Sequence, residues 1–392
     1  MPSTIDITLL FRELLGRLST SKVSLSPGGP YAGEDDSAFT TTLSGEFKVT
    51  GRGGLGCSSL LRTVVVDGSS RRLGSPGFRV FLAGVAVYGG VGGSPLMLYP
   101  TLSGLEGGVG FMGVKAPIDV LKSIEGDVTL SRFVRVRFTG GGYFDEDANE
   151  DDISDDVRMS LEAWAIGELA SRLNKGYAVI LDGPIYLGVR EKANLAFSRI
   201  TAVNGLEGVG VPVVGVVKRV ENSRKLCSGG VIEELNVDVD PRHCNDPTVV
   251  QAVGRRFSGG VGDVVLIGPF RHVHGKAGGG LTSFMFPERV FWYVHSGFGS
   301  RVFRVEALAS TYGSFGGEVD CLVKWLALSI DGNGLPYVID IADRFAKGIT
   351  RSLYLLFYGM AKSANVAFTY DTEQEAASVM REVANLGGAA WV

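Results

Sequence analysis

Two apolar runs that each end in Asp-Gly constrain the fold of this chain most strongly. Thr63–Asp67 reads Thr-Val-Val-Val-Asp and precedes Gly68, and Val179–Asp182 reads Val-Ile-Leu-Asp and precedes Gly183. Consecutive apolar residues without a polar break are typical of strands that are buried on both faces of a sheet. We therefore predict two buried strands that each end in a carboxylate, where the glycine allows a sharp turn.

The Asp-Gly pairs have a second interpretation, because Asp-Gly after an apolar run is also a strong signal for a β-hairpin. A hairpin is favoured by alternating apolar and polar residues on both sides of the turn. Here the upstream runs are continuous, and Ser69–Arg72 is polar and basic. The pattern favours paired carboxylates over two ordinary turns, but both interpretations stay open at this point.

Composition sets broad limits on function. The 392 residues are 45% hydrophobic and 20% charged, with a net charge of −4, which describes a globular protein with a sizeable core. Since the net charge is negative, nucleic-acid binding would require a local basic patch. No apolar run approaches a bilayer's thickness and no signal-peptide pattern is present, so we expect a cytoplasmic protein that does not bind a membrane. The four cysteines are far apart in sequence and are expected to be free thiols.

The apolar spacing predicts an α/β protein with a mixed sheet. An N-terminal helix is predicted over Ile5–Leu18 and a glycine-rich region over 19–56, which together define a first region, 1–60. Asp145–Asp156 has eight acids in twelve residues and is expected to be a solvated loop. The further predicted strands are 78–88, 95–102, 133–138, 211–217, 263–267, 291–294 and 302–305. The further predicted helices are 155–173, 190–203, 318–328, 338–347 and 352–364.

The remaining candidate site consists of Asp67, a helical glutamate and Asp182. Carboxylates are the hard oxygen ligands that Mg²⁺ and Mn²⁺ prefer, and three of them cannot lie together ionised without cations. Two metal ions about 3.5–4 Å apart would stabilise the attacking and leaving oxygens of phosphodiester cleavage. The Gly-x-x-x-x-Gly-Lys-Ser/Thr and Gly-x-Ser-x-Gly motifs are absent, which argues against a P-loop or a hydrolase nucleophile.

Helical phase selects Glu162 over Glu168 as the third carboxylate. Successive helical residues turn by about 100°, which puts Glu162 in the apolar stripe and Glu168 on the face toward water. A buried carboxylate must be paired or bound to metal. A salt bridge from Arg158 is the alternative, but that order of charges contributes only about a few tenths of a kcal/mol. His295 follows an aromatic strand and is assigned either to the same cleft or, equally, to the core.

Five segments resemble the NurA family, the archaeal DNA-end-processing nucleases that work with the HerA helicase. Their order and spacing along the chain carry the resemblance, which spans roughly residues 64–347. The segments are Val65–Ser69, Arg158–Glu162 followed by Val179–Gly183, Val213–Lys218, Arg304–Glu306 and Pro336–Arg344.

The resemblance implies an RNase H-like mixed β-sheet flanked by helices, over residues 61–392, with a largely helical C-terminal part. It implies a Mn²⁺- or Mg²⁺-dependent nuclease that is a 5′-to-3′ exonuclease on single- and double-stranded DNA and a single-strand endonuclease. Asp67, Glu162 and Asp182 match the family's metal-binding acids, and His295 matches a further active-site residue. The chain departs from the family at Pro184, where the family often has serine; proline removes a backbone donor from this loop.

Partners and alternatives also follow from the resemblance. It implies a homodimer that docks on a hexameric HerA-type ATPase in DNA end resection and double-strand break repair, and we expect the N-terminal helix to be an exposed docking element. Lys218 ends a strand near the carboxylates, and with Arg304 it is expected to contact DNA phosphates. The alternatives are a non-catalytic DNA-binding clamp subunit and an RNase H-like nuclease that acts on RNA.

Overall fold

The structure is a computed structural model, and its described part has several gaps. It describes residues 5–19, 39–51, 54–57, 61–89, 95–102, 105, 109–188, 192–227, 230–257, 263–274, 286–297 and 301–385. Within these residues, no helix combines the length and the hydropathy that a membrane span requires.

A single mixed sheet of eleven strands organises the described residues. Its order is β1-β9-β10-β11-β8-β7-β2-β3-β5-β6, and β4 also pairs with β3. The strands are β1 (Phe39–Gly51), β2 (Arg62–Ser75), β3 (Phe78–Gly89), β4 (Pro95–Tyr99), β5 (Met112–Lys115), β6 (Val134–Arg135), β7 (Tyr177–Asp182), β8 (Val213–Val217), β9 (Val264–His274), β10 (Arg289–Ser296) and β11 (Val302–Leu308).

The centre of this sheet has the predicted RNase H-like arrangement. Strand β3 runs antiparallel to both β2 and β5, and β2, β7 and β8 are mutually parallel neighbours. Parallel neighbours require crossover connections, and helices supply them here. The predicted α/β class with a mixed RNase H-like sheet is therefore confirmed.

Helices cover both faces of the sheet, and the last part of the described chain is largely helical, as predicted. The predicted helices 338–347 and 352–364 form one continuous helix. The helices are α1 (Ile7–Leu18), α2 (Ile118–Glu125), α3 (Leu130–Phe133), α4 (Glu150–Leu169), α5 (Ala193–Gly208), α6 (Val231–Leu235), α7 (Asp246–Phe257), α8 (Ala309–Leu328), α9 (Tyr337–Ser363) and α10 (Tyr370–Asn385).

The acidic run Asp145–Asp156 is not only a loop, because α4 begins inside it at Glu150. The Asn149 side chain caps the helix by accepting bonds from the backbone N–H groups of Asp151 and Asp152. Acidic side chains in a first turn interact favourably with the helix dipole. The predicted loop is wrong for this half of the run. The Asn149 cap and the helix dipole stabilise a helix start there, in spite of the repulsion between the acidic side chains.

The predicted strand 133–138 is also mostly wrong. Phe133 ends α3, and β6 contains only Val134 and Arg135. Arg135 forms an ion pair with Asp156, and Arg137 binds Glu125. Arg135 and Arg137, the polar residues of the alternating pattern, therefore form ion pairs and are not the outer face of a longer strand, because β6 has only two residues.

Helix α1 belongs to the core and is exposed on one side only. Phe11 and Leu14 are fully buried, and the Phe11 ring packs edge-on against Phe357 with centroids 5.0 Å apart. Upstream of the helix, Ile5 forms a β-bridge with Leu105. The expectation of an exposed helix is therefore correct only for its outer face.

The four cysteines are not free thiols. Cys57 is bonded to Cys321, and Cys227 is bonded to Cys244. The expectation failed because sequence separation, 264 and 17 residues here, does not report the distance between Cα atoms in the fold, which is what permits a disulfide.

Candidate metal centre

Parallel pairing of β2 and β7 brings the two sequence-predicted aspartates together. Val66 is the register partner of Leu181, so Asp67 and Asp182 occupy the next position on neighbouring strands. Both are nearly buried, at 4% and 9% exposure. The predicted strand end is correct for Asp182, which is the last residue of β7.

The predicted strand end is wrong for Asp67. Asp67 and Gly68 both pair with β3, opposite Ala86 and Val85, and β2 continues to Ser75. A hairpin does connect β2 and β3, but it lies beyond Ser75. Gly68 is required by the close approach of α4 to β2, because a Cβ atom there would overlap the Glu162 side chain.

A third carboxylate, Asp343 on α9, completes a cluster that the sequence analysis did not identify. Ligand oxygens of Asp67, Asp182 and Asp343 all lie within 4.8 Å of one another. Asp343 lies beside the buried Ala342 and one turn before the buried Ala346. A carboxylate at the margin of a helix's apolar stripe was therefore the signal available in the sequence.

Burial dominates the electrostatics of this cluster. It raises the pKa of Asp67 well above its usual value, with further contributions from the charges of Asp182 and Glu162. Burial also raises the pKa of Asp182. Within the described part of the chain, the buried Oδ2 atom of Asp67 has no hydrogen-bond partner. The cluster thus combines repelling carboxylates with an unsatisfied buried oxygen.

Lys218 supplies positive charge to the cluster. Its ammonium group donates a 2.6 Å hydrogen bond to Oδ2 of Asp182. Burial works against the charge of this lysine, but Asp182, helped by Asp67 and Asp343, outweighs it and raises the lysine pKa. Lys218 therefore lies at the carboxylates, and 30% of its side chain remains exposed to solvent.

Glu162 faces the core, as its helical phase predicts, at 1% exposure. It lies next to Gly68 and contributes to the raised pKa of Asp67, but it is not one of the three clustered ligands. Arg158 donates a 2.8 Å bond to one of its oxygens, and the buried Arg199 of α5 binds the other. Helical phase pointed to Arg158 alone; Arg199 is a second partner that only the fold reveals.

His295 does not lie with the carboxylates. It is on β10, and the three strands β7, β8 and β11 separate β10 from β2. With about 4.8 Å between neighbouring strands, His295 lies roughly 19 Å from Asp67. Its imidazole faces α7, because a Cβ atom on Gly254 would lie 2.9 Å from its Nδ1. The core alternative for this histidine agrees with its placement.

Arg304 is buried at 1% exposure and is not positioned to contact DNA. Its guanidinium donates to Glu306 at 3.1 Å and to Ser223 at 3.3 Å. A buried carboxylate requires paired charge, and Glu306 also interacts with Arg289 at 3.5 Å. The prediction of a phosphate contact is thus replaced by a structural role in a buried charge network.

This network also explains how the loop after Asp182 accommodates Pro184. Gly183, which has a positive φ of 110°, donates its N–H to the carbonyl of Val216 at 2.9 Å. Ile185 donates its N–H to Glu306 at 2.8 Å. The residues on either side of the proline are therefore held by hydrogen bonds, so the loop stays anchored although the proline has no N–H to donate.

The donor set fits a hard divalent cation. Carboxylate oxygens are the preferred ligands of such ions. A cation would satisfy the unpaired Asp67 oxygen and would offset both the burial of these charges and the repulsion between them. The fold and these residues therefore define an RNase H-like protein with a carboxylate site suited to divalent metal.

Comparisons with known proteins agree with this class. A family model described as the NurA domain matches residues 61–347, more than half of the chain. The chain therefore belongs to the NurA family and, with it, to the nucleases. No curated protein matches the chain.

The fold also has partial similarity to solved structures. The chain is similar to the NurA nuclease from Sulfolobus solfataricus, with 12% identity, a TM-score of 0.42 and 91% of each chain covered. It is similar to a NurA structure with manganese, with 9% identity, a TM-score of 0.36, and 90% of this chain and 97% of that chain covered. It is similar to the catalytic domain of human Endonuclease V, with 11% identity, a TM-score of 0.34, and 90% and 99% covered. Similarity at this level adds nothing to the family match.

Proposed function

We propose that this nuclease is a metal-dependent DNA nuclease whose centre is Asp67, Asp182 and Asp343, with Glu162 beside it. One observation carries the proposal: three acids from β2, β7 and α9 converge within 4.8 Å, although burial disfavours the charges of Asp67 and Asp182. Clustering acids in a buried site is unfavourable unless a cation compensates them. We infer two ions, Mn²⁺ or Mg²⁺, as in the family resemblance.

Each side chain has a distinct part in this proposal. Divalent ions held by the three aspartates would stabilise the attacking and leaving oxygens of a phosphodiester. Asp67 and Asp182 sit on paired strands, so the sheet fixes their separation, and Asp343 approaches from α9. Lys218 reaches Asp182 at 2.6 Å and is partly exposed, so its ammonium group is available to a phosphate at the scissile bond. Glu162 is held by two arginines and orients toward Asp67.

The finer activity rests on the family resemblance. We propose 5′-to-3′ exonuclease activity on single- and double-stranded DNA and endonuclease activity on single strands, in the end resection that precedes repair of double-strand breaks. The sequence has no P-loop, so movement along duplex DNA would require a separate motor. We propose a HerA-type hexameric ATPase as that motor, a homodimeric nuclease as its partner, and a cytoplasmic location.

A cleavage assay with matched variants tests the metal centre. Purified protein is incubated with labelled DNA or RNA strands in Mn²⁺, Mg²⁺ or EDTA. We expect Asp67→Asn and Asp343→Asn each to reduce DNA cleavage by roughly 100-fold or more, because each removes a ligand charge while keeping the shape. Asp340→Asn is the control: it lies on α9 and pairs with Arg344, and it should cleave like the wild type.

The opposite results have clear meanings. Full cleavage in EDTA or by Asp67→Asn contradicts a metal-dependent mechanism. Cleavage of RNA but not DNA transfers the proposal to an RNA substrate. DNA binding without cleavage under every condition favours a non-catalytic clamp subunit.

A further inference from the structure

Two rows of side chains lead away from the carboxylate cluster in the same direction. Side chains alternate along a strand, so Asp67, Ser69 and Arg71 follow one another on one face of β2. On α9, Asp343 is followed at four-residue steps by Lys347 and Arg351, which places these three on one helix face.

The two rows lie side by side and converge. The hydroxyl of Thr350 on α9 donates to the Ser69 hydroxyl on β2 at 3.2 Å, which joins the rows midway. At their far ends, Arg71 and Arg351 both reach the carboxylate of Glu382, at 3.7 Å and 2.8 Å. The rows therefore form one continuous path from the acids to a pair of arginines.

A cavity of about 980 Å³ opens along this path. Ser69, Arg71 and Lys347 line it from β2 and α9, and Glu375 lines it from α10. Lys347 presently donates to the candidate metal ligand Asp343 at 2.7 Å. Lys347 therefore connects the cavity to the proposed reaction centre, although the three aspartates themselves do not line it. The wall carries both charges, from the cations Arg71, Arg72, Arg79 and Lys347 and from the acids Glu150, Asp151, Asp371 and Glu375.

Helix α10 covers the far end of the path with acids. Glu375 forms an ion pair with Arg71, and Glu382 forms pairs with both arginines. The two carboxylates are 44% and 42% exposed, whereas Arg71 and Arg351 are only 16% and 17% exposed, so the glutamates lie on the solvent side of the two arginines. Among the described residues of this helix, the buried apolar ones are only Ala376 and Val379. The helix is anchored at its start by the buried Thr372, which accepts from the backbone N–H of Gly74 at 2.7 Å, so few apolar contacts hold the part that carries Glu382.

We propose that Lys347, Arg71 and Arg351 bind the phosphates of the nucleic-acid strand that extends from the metal centre, and that Glu375 and Glu382 occupy the two arginines until a strand displaces them. This inference rests on the proposed nuclease function. Arginine binds phosphate and carboxylate with the same paired N–H groups, so the two ligands compete for one surface. Helix α10 and Arg351 lie beyond residues 61–347, which match the NurA domain.

Binding measurements distinguish competition between glutamate and phosphate from a purely structural role of these ion pairs. Competition predicts that removing the glutamates strengthens nucleic-acid binding and that removing the arginines weakens it. We expect the double variant Glu375→Gln/Glu382→Gln to bind a fluorescent 12-nucleotide strand roughly tenfold more tightly in EDTA, because phosphate contacts with arginine are charge-assisted. Its log K against log salt slope should steepen by about 1.4, which corresponds to two added contacts with a single strand. Arg71→Gln/Arg351→Gln should bind more weakly, with a shallower slope.

Glu373→Gln is the matched control. It removes one negative charge from the same helix, half of what the double variant removes, and Glu373 pairs with Tyr358 and Lys362, away from the path. It should bind like the wild type. If the Glu375→Gln/Glu382→Gln variant binds no more tightly than this control, or if the arginine variant binds like the wild type, the proposal is wrong.

The same experiment separates this inference from the proposed function. Binding in EDTA does not depend on cleavage. A wild type without Mn²⁺-dependent cleavage would contradict the proposed function. Unchanged binding by the glutamate variant would contradict only the proposed phosphate binding along the path. DNA and RNA strands of one sequence should gain equally, since phosphates carry no sequence or 2′-hydroxyl information. A gain confined to one of them would overturn recognition through phosphates.

Discussion

Asp67 is the buried side chain through which the proposed metal binding would depend on pH. Burial, followed by neighbouring acids, raises its pKa, and burial raises the pKa of Asp182. The folded protein without metal therefore holds these protons more tightly than the unfolded chain does. This part of its stability is present at low pH and is lost as pH rises from the usual value of 3.8 through the raised values.

We expect Mn²⁺ to stabilise the protein increasingly as pH rises through this window, because metal binding displaces the protons. The measurement is the shift in unfolding temperature on adding Mn²⁺, at a series of pH values that rises from the usual carboxyl value of 3.8. Taking the difference between the unfolding temperatures with and without Mn²⁺ at each pH cancels the effect of carboxylates that are remote from the site. Asp67→Asn should flatten the trend, and an equal Mn²⁺ shift at every pH would contradict it.

Glu162 and Glu168 lie on one helix but in different environments, and this difference is testable. Glu162 is buried between Arg158 and Arg199, whereas Glu168 is half-exposed and faces Arg172 at 3.8 Å. We expect Glu162→Gln to reduce cleavage by roughly tenfold or more, as losses of groups that support a metal site do, and Glu168→Gln to leave it near the wild-type rate. Cleavage rates and Mn²⁺ titrations measure this, and the reverse order of effects would refute the assignment.

At the scale of elements, α1 has two faces with different roles. Its inner face packs Phe11 and Leu14 into the core, so deleting the helix would test folding and partner binding together. Its outer face presents Leu9 at 56% exposure, and an exposed apolar side chain is a reasonable contact for the proposed ATPase.

We expect Leu9→Asp to weaken co-purification with a HerA-type ATPase and to leave the unfolding temperature unchanged, because the residue makes no core contact. Leu328→Asp, at another exposed leucine, is the control for added charge. Wild-type recovery of the ATPase by the Leu9→Asp protein would exclude this face of α1 as the docking element.

At the scale of the whole molecule, the two disulfides connect distant parts of the described chain. Cys57 precedes β2 and is joined to Cys321 in α8, and Cys227 is joined to Cys244 before α7. A disulfide restricts the unfolded chain, and more so when it closes a longer loop. Both bonds should therefore contribute to stability.

We expect Cys227→Ser/Cys244→Ser to lower the free energy of unfolding by about 3 kcal/mol, the value for a loop of this length. The Cys57–Cys321 disulfide closes the longer loop, so Cys57→Ser/Cys321→Ser should lower the free energy of unfolding by more. Urea unfolding with and without a reductant measures both. Stability that is unaffected by reduction, together with four titratable thiols in the native protein, would show that the bonds are absent.

The sequence by itself determined the local features of this protein. The continuous apolar runs predicted the buried strands β2, β7 and β8, because burial on both faces requires an apolar residue at every position. The 3.6-residue period predicted that Glu162 faces inward, since phase along one helix depends only on spacing. The ordered motifs predicted the NurA family and its RNase H-like sheet. Each of these inferences uses residues that are neighbours in the chain or motifs whose order the chain preserves.

Only the tertiary structure decided which distant side chains meet. It brought Asp343 to Asp67 and Asp182, paired Glu162 with Arg199, and joined the cysteines. It also placed His295 on β10, which three strands separate from β2, and buried Arg304 in a charge network with Glu306. Strand order and helix placement are set by the packing of the whole core, and local periodicity carries no information about them. A carboxylate cluster built from two strands and a helix is therefore visible only once those three elements are packed together.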